Sequence, residues 1–78
     1  MITIRFFAAA REAAGASEME CEEGSLREIL DNLSKDNLRL SSVFSRSSFL
    51  IDGVVAHNLE VPLLAGSVVD VLPPFAGG

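Results

Sequence analysis

The sequence predicts an α+β domain in which one main helix packs across a β-sheet. Three observations support this prediction. The segments ITIRFF and SVVDVL alternate between the two faces of a strand, one near the beginning of the chain and one near its end. The segment SFLIDGVVA has the pattern of a β-hairpin, with Asp-Gly between two apolar runs. Between these strands, GSLREILDNLSK carries apolar residues at helical spacing. With 78 residues, the chain is predicted to form a single domain.

The first strand is predicted to bury one of its faces. Ile2, Ile4 and Phe6 fall on the inner face, which leaves Phe7 on the outer face. The alanine-rich stretch AAAREAAG follows, and its composition predicts a short helical turn that stops at Gly15.

A second strand is predicted in SEMECEE, with glutamates on a wet face and Met19 and Cys21 on a dry face. The glutamates discourage pairing with the edge of another chain. Cys21 is the only cysteine, so it is predicted to be a plain buried thiol without a disulfide partner.

The main helix is predicted from its cap and its apolar stripe. Ser25 is a good N-cap, and Glu28 three residues later completes a capping box. The stripe at helical spacing consists of Leu26, Ile29, Leu30 and Leu33. The segment DNLRLSSVFSRS contains four serines, so residues 36–46 are predicted to form either a loop or a short helix.

The last strand, SVVDVL, places Val69 and Val71 on one face and Val68, Asp70 and Leu72 on the other. The segment before it contains the breakers Pro62 and Gly66 and is predicted to be irregular. It also contains the only histidine, His57, which is interpreted as a surface residue.

Charge and composition exclude several classes of function. The formal net charge is −5, which argues against binding to nucleic acid or to an anionic membrane and permits a partner with a basic face. No apolar run is long enough to span a bilayer, and no signal peptide is expected. Together with the single cysteine, these observations predict a cytoplasmic protein.

The sequence contains no pattern typical of a catalytic centre. It has no glycine-rich phosphate loop and no pair of cysteines or histidines at metal-binding spacing. A Ser–His–acid triad through His57 lacks any supporting motif. The chain is therefore predicted to be a non-catalytic protein that binds no cofactor itself and enters a reaction as substrate, carrier or accessory.

The C-terminal segment PPFAGG suggests a chemical role for the chain end. Pro73 and Pro74 terminate the sheet ladder and direct the chain outward. Phe75 is an apolar anchor beyond the last strand, and Gly77 and Gly78 form a thin tip that can enter a narrow channel. The Gly78 carboxylate is ionised at neutral pH and can be activated by adenylation, after which a thiol or persulfide displaces AMP. The predicted domain therefore spans residues 1–74, and residues 75–78 form a flexible tail; the alternative is a frayed terminus without function.

Three segments, FFAAAREAAG, IDGVVA and PPFAGG, resemble the small subunit of molybdopterin synthase. That family belongs to the ubiquitin-like sulfur carriers, which have the β-grasp fold. The resemblance covers the whole chain in element order. The terminal Gly-Gly is shared with the thiamine sulfur carrier and ubiquitin, whereas the combination of the opening with PP-F-AGG favours the molybdopterin branch.

The resemblance implies a series of partners. A ubiquitin-activating-enzyme-like adenylyltransferase would bind ATP and magnesium and activate Gly78. A sulfur donor system would convert the acyl-adenylate to a thiocarboxylate. The tail would then enter the large subunit of molybdopterin synthase, where sulfur passes to the pterin precursor. By its position, Phe75 resembles the family's hydrophobic anchor at both partner interfaces.

The residues suggest further candidates for partner binding. Phe7, Leu59 and Leu72 could join Phe75 in one exposed apolar patch, or could instead close a second face of the core. Arg11 could pair with a carboxylate of the partner, or could be a solvated surface residue. Three other functions stay open: the same carrier chemistry for thiamine, cysteine or thiolated tRNA; a protein modifier that forms isopeptide bonds through Gly78; and a plain binding module.

Overall fold

The structure, a computed structural model, describes residues 1–74 and contains a five-stranded sheet with helices packed on one face. In chain order the elements are β1 (Ile2–Phe6), α1 (Ala9–Ala14), β2 (Glu18–Cys21), α2 (Leu26–Ser34), α3 (Leu38–Phe44), β3 (Ser48–Ile51), β4 (Val54–Val55) and β5 (Val68–Leu72). The predicted tail, residues 75–78, lies outside the described residues, so its flexibility and the domain boundary at residue 74 stay predictions.

The sheet is mixed, with the strand order β2-β1-β5-β3-β4. The central strands β1 and β5 are parallel, and every other neighbouring pair is antiparallel. Parallel pairing brings the carboxyl ends of β1 and β5 to the same end of the sheet. The chain therefore leaves β5 towards its C-terminus at the end where β1 leads into α1.

The inner face of the sheet forms the core, as the alternation of the first and last strands predicts. Ile2, Ile4, Val69 and Val71 are completely buried, and Phe6 is nearly so. Burying one side chain of this size contributes about 1.5–3 kcal/mol of transfer free energy. These strands lie at the centre of the sheet because both of them can bury a continuous apolar face against the helices.

The start and end of α1 both depend on residues with positive φ. Gly15 ends the helix in the left-handed region at φ 76°, which confirms the predicted glycine stop. Ala8, at the N-cap position, has φ 51° and ψ −126°. A residue with a Cβ rarely adopts positive φ, so the turn from β1 into α1 is strained.

The capping box of α2 is confirmed. The Ser25 hydroxyl accepts a hydrogen bond from the Glu28 N–H at 3.1 Å, and the Glu28 carboxylate accepts one from the Ser25 N–H at 2.9 Å. Of the apolar stripe, Leu26, Ile29 and Leu30 are buried, whereas Leu33 is half-buried at the margin of the core.

The segment that was predicted as loop or short helix forms α3. Asn37 caps this helix, since its side-chain oxygen accepts a hydrogen bond from the Leu40 N–H at 3.0 Å. The buried side chains are Leu40, Val43 and Phe44, and the Phe44 ring packs edge-on against Phe49 with 6.1 Å between the ring centres. Burial of these apolar side chains outweighs the weak helix propensity of the serines.

The predicted hairpin joins β3 to β4. Asp52 and Gly53 have φ values of 49° and 84°, as a tight hairpin turn requires. The Asp52 carboxylate also accepts a hydrogen bond from the Val68 N–H at 2.9 Å, which ties the turn to the beginning of β5.

The structure corrects the expectation for Cys21. This residue is half-buried rather than fully buried, and its Sγ lies 3.7 Å from the Ile2 carbonyl oxygen. The position at the end of the edge strand β2 explains the difference, because an edge strand is covered on fewer sides. Partial burial raises the pKa of the thiol above its ordinary value of 9.0.

Candidate functional site at the base of the tail

The outer face of the sheet, the face turned away from α2, carries a paired charge at its centre. Arg5 of β1 lies opposite Asp70 of β5 in the parallel register. Its guanidinium donates two hydrogen bonds to the carboxylate, from Nε at 2.6 Å and from a terminal nitrogen at 2.9 Å. Two parallel bonds of this kind fix the orientation of the guanidinium plane.

The two partners differ strongly in exposure. The Asp70 side chain is 12% exposed, whereas the Arg5 side chain is 49% exposed. A carboxylate this deeply buried needs a charged partner, and Arg5 supplies it. The hydrogen bond to Asp70 raises the pKa of Arg5 above its ordinary value, so the guanidinium stays charged.

Phe7 lies beside this ion pair, on the outer face as predicted. The Arg5 guanidinium carbon lies 5.8 Å from the centre of the Phe7 ring, within the range of a cation–π contact. Phe7 is half-buried. Since Phe6 pairs with Val71, continuing the register by one residue places Phe7 next to Leu72, which is also half-buried.

The base of the tail adjoins this apolar pair. β5 ends at Leu72, and the chain continues through the half-buried Pro73 and the exposed Pro74. Phe75, Gly77 and Gly78 lie outside the described residues, so the structure does not test their predicted roles. Phe7 and Leu72 are thus the predicted partner-binding residues that the structure brings together near the tail.

Leu59 packs with the core and does not join Phe7 and Leu72, so the structure decides between the two positions that the sequence left open for it. Its carbonyl oxygen accepts a hydrogen bond from the Arg27 N–H at 2.9 Å, at the start of α2. Its side chain packs against the hydrophobic core and lines a crevice with Leu30, Phe44 and Phe49. These residues belong to the helix side of the sheet, so Leu59 and Phe7 are on opposite sides.

Arg11 is exposed in the middle of α1. Within residues 1–74 it forms no ion pair, whereas its neighbour Glu12 pairs with Arg39 of α3 at 3.4 Å. The structure is thus compatible with both interpretations of Arg11, a contact to a partner and a solvated surface residue.

The outer face has an acidic margin. Glu18 and Glu20 of β2 lie opposite Arg5 and Thr3 and are exposed. On the other side of β5, Leu50 lies opposite Asp70 and is half-buried. The face therefore passes from acidic at β2, through the Arg5–Asp70 pair, to the apolar side chains of Leu50 in β3 and Leu72 at the base of the tail.

Sequence reasoning missed the Arg5–Asp70 pair. One signal was present: an aspartate in the middle of the apolar run SVVDVL needs a partner once the strand is central. Alternation puts both residues on outer faces, but it does not give the register that makes them neighbours.

Within the part of the chain that the structure describes, no group of three His, Cys, Asp or Glu side chains could hold a metal ion. No helix in that part is long and apolar enough to cross a membrane.

The strand order and the helix across one face define the β-grasp fold of ubiquitin-like proteins, as the sequence predicts. SAMP1 from Haloferax volcanii has this fold, with a TM-score of 0.78 and 25% identity over 99% of this chain and 98% of that one. A protein described as molybdopterin converting factor subunit 1 from Pyrococcus furiosus matches with a TM-score of 0.74 and 25% identity over 95% and 97% of the two chains. A chain in the complex of subunits 1 and 2 of molybdopterin-converting factor from Helicobacter pylori 26695 matches with a TM-score of 0.73 and 22% identity over 99% and 97%.

The chain belongs to the ThiS family, which matches residues 4–78. It is therefore a ubiquitin-like protein of the sulfur carrier and modifier class. No curated protein matches the chain.

Proposed function

We propose that this chain is a sulfur carrier for molybdopterin biosynthesis. The observation that carries the proposal is the segment PPFAGG directly after β5, in a chain of the ThiS family. The Gly78 carboxylate has no side chain beside it, so an enzyme can enclose it in a narrow channel. The apolar surface of Phe7 and Leu72 at the base of the tail supports docking to such an enzyme.

The proposed chemistry has two steps, both performed on partner enzymes. The Gly78 carboxylate attacks the α-phosphorus of ATP, pyrophosphate leaves, and an acyl-adenylate forms; ATP and magnesium are bound by the adenylyltransferase. A hydrosulfide or persulfide sulfur then attacks the acyl carbon and AMP leaves. When the donor is a persulfide, a thiol reduces the resulting acyl disulfide and releases the thiocarboxylate.

The molybdopterin branch is favoured by the FFAAAREAAG opening together with PPFAGG. The likeness to the Pyrococcus furiosus protein agrees with this assignment. The proposed acceptor complex contains the large subunit of molybdopterin synthase, into which the tail carries its sulfur. The synthesis of thiamine, the synthesis of cysteine and the thiolation of tRNA use the same carrier chemistry. The acceptor enzyme determines which of these products receives the sulfur.

A protein modifier is the second candidate, and the likeness to SAMP1, a small archaeal modifier protein, favours it. The adenylate is common to both functions, but here the amine of a lysine on a target protein attacks the acyl carbon. An isopeptide bond forms, AMP leaves and the amine loses a proton. High-mass conjugates on a blot of the tagged protein, absent when Gly78 is deleted, distinguish this function from the first.

The intact mass of the chain tests the proposed function. We expect incubation with ATP, the adenylyltransferase of the source organism and a sulfur donor to exchange one oxygen of Gly78 for sulfur. A matched variant with one alanine appended after Gly78 keeps the fold but displaces the carboxylate, so its mass should not change. Equal conversion of both proteins, or an unchanged wild-type mass with a demonstrably active adenylyltransferase, would contradict the proposal.

The acceptor is tested separately in cells. Deleting the gene should abolish molybdoenzyme activity without producing thiamine or cysteine auxotrophy. Auxotrophy with normal molybdoenzyme activity would assign the chain to one of the other sulfur pathways.

A further inference from the structure

Arg5 connects the buried carboxylate of the central strand β5 to the apolar surface at the base of the tail. Its guanidinium binds the Asp70 carboxylate through two hydrogen bonds, at 2.6 and 2.9 Å. The same guanidinium lies 5.8 Å from the centre of the Phe7 ring. Asp70 is held in the central strand β5 and is only 8% exposed, so it is a rigid anchor for this chain of contacts.

The position of the Phe7 ring makes Arg5 one of its contacts on the outer face. Phe7 follows the last residue of β1 and precedes Ala8, where the backbone turns sharply. Within residues 1–74 the helices pack on the opposite face of the sheet, so none of them covers the ring on the outer face. The guanidinium of Arg5, whose orientation is fixed by its two hydrogen bonds to Asp70, lies over the ring and is the contact that can hold it in place.

We propose that Arg5 is a positioning residue, which orients the Phe7 ring beside Leu72 so that the docking surface is formed before the adenylyltransferase binds. This inference rests on the proposed function, because it concerns the surface that the activating enzyme contacts. A preformed surface avoids the entropy cost of immobilising a side chain on binding. Losing that advantage should weaken docking about three- to tenfold.

A purely structural role for Arg5 makes a different prediction. In that case Arg5 only fastens β1 to β5, and its substitution lowers stability without regard to Phe7. The two roles are separated by a double-mutant cycle, in which residues that act through each other give non-additive effects.

The test measures ATP–pyrophosphate exchange by the adenylyltransferase as the concentration of the carrier is varied. Arg5→Lys keeps the charge but cannot form the planar two-bond contact, so we expect KM for the carrier to rise about three- to tenfold, with kcat within about twofold. Phe7→Leu removes the ring and should raise KM as well. The double variant should be no worse than Phe7→Leu alone. Arg39→Lys, at the exposed pair with Glu12, is the matched control and should leave KM unchanged.

An unchanged KM for Arg5→Lys would overturn the inference. It would also be overturned if the increase in KM of the double variant equalled the product of the increases of the two single variants. If Arg5→Lys fails to fold, Asp70→Asn replaces it in the cycle, because asparagine keeps the shape of the anchor and removes its charge.

Nuclear magnetic resonance of the free chain provides a test that does not depend on any partner. Protons of Arg5 beside the Phe7 ring should be shifted upfield, and Phe7→Leu should abolish that shift. The Phe7 ring signals should change in Arg5→Lys but not in Arg39→Lys.

The two tests separate the failure of the proposed function from the failure of the inference. If wild-type carrier supports no ATP–pyrophosphate exchange, the proposed function is wrong, and Arg5 then has no docking role. Unchanged ring signals in Arg5→Lys would refute the positioning itself.

Discussion

At the scale of single residues, Ala8 shows how much depends on one backbone angle. Its φ of 51° and ψ of −126° turn the chain from the outer-face residue Phe7 into α1. The Ala8 carbonyl accepts hydrogen bonds from the Arg11 and Glu12 N–H groups at 3.0 and 3.3 Å, so the strained residue also begins the helix. The side chain of Ala8 is exposed and has no capping group.

Replacing Ala8 with glycine should therefore stabilise the protein. Glycine adopts positive φ without a Cβ clash, which relieves about 1–2 kcal/mol, and it loses about 0.4–1 kcal/mol through the greater freedom of the unfolded chain. We expect a net gain of about 1 kcal/mol and an increase in Tm of about 4–8 °C, measured by thermal unfolding. The control Ala9→Gly lies inside α1 and should lower Tm instead. A loss of stability in Ala8→Gly would show that the turn is not strained.

At the scale of the elements, the Asn37 side chain both caps α3 and binds the end of α1. The Asn37 oxygen caps α3, and the Asn37 side-chain nitrogen donates a hydrogen bond to the Ala13 carbonyl oxygen at 2.9 Å. That second bond joins the start of α3 to the end of α1, at a helix end where carbonyls lack intrahelical partners. Asn37 therefore fixes both helices relative to each other.

Asn37→Ala should cost about 1–2 kcal/mol in the free energy of unfolding, because it removes the cap and a hydrogen bond together. Asn37→Ser keeps a capping oxygen but cannot reach Ala13, so we expect about half of that loss. Denaturant titration of the two variants measures the difference. Equal losses would mean that the bond to Ala13 contributes nothing.

The sequence predicts elements well where short-range chemistry specifies them. The capping box of Ser25 and Glu28 identifies α2, and Asp52 and Gly53 identify the hairpin turn, because both signals operate within four residues. α3 is different, since its serines weaken the local signal and its stability comes from burying Leu40, Val43 and Phe44 against distant residues. The position of Leu59 could not be predicted for the same reason, as it follows from packing against α2 and β3.

At the scale of the whole molecule, the register between β1 and β5 brings the residues of the candidate site next to each other. Alternation alone places Arg5, Phe7, Asp70 and Leu72 on outer faces, but only the parallel register makes Arg5 and Asp70 neighbours, and its continuation by one residue places Phe7 next to Leu72. Register depends on the packing of the complete inner face. The tail could be interpreted from its composition, whereas the surface beside it required the structure.

The opposite end of the sheet is held by an ion pair between the Met1 amine and Glu23, at 2.6 Å. The hydrogen bond to Glu23 raises the pKa of the amine above its ordinary value of 8.0, and the same bond lowers the pKa of Glu23 below 4.5. The contribution of the amine is complete below pH 8.0 and is lost as the pH rises through its raised folded-state pKa. The contribution of Glu23 is present above pH 4.5 and is lost as the pH falls through its lowered folded-state pKa.

We therefore expect the Tm difference between wild type and Glu23→Gln to be largest near pH 6–7, and to shrink as the pH rises above 8.0 through the raised pKa of the amine. The effect should be small because both groups are exposed. Glu22→Gln, at the exposed neighbouring position, is the control and should show no such pH dependence. A Tm difference for Glu23→Gln that persists unchanged at about pH 10 would mean that the amine is not the partner.

The parallel pairing of β1 and β5 also has a mechanical consequence. A force that pulls the beginning of β1 and Pro74 apart acts along both strands in opposite directions. The hydrogen bonds between the two strands are then loaded in shear and must yield together, whereas an antiparallel pair pulled from adjacent ends would open one bond at a time. The two strands therefore resist separation when force is applied between the beginning of β1 and Pro74.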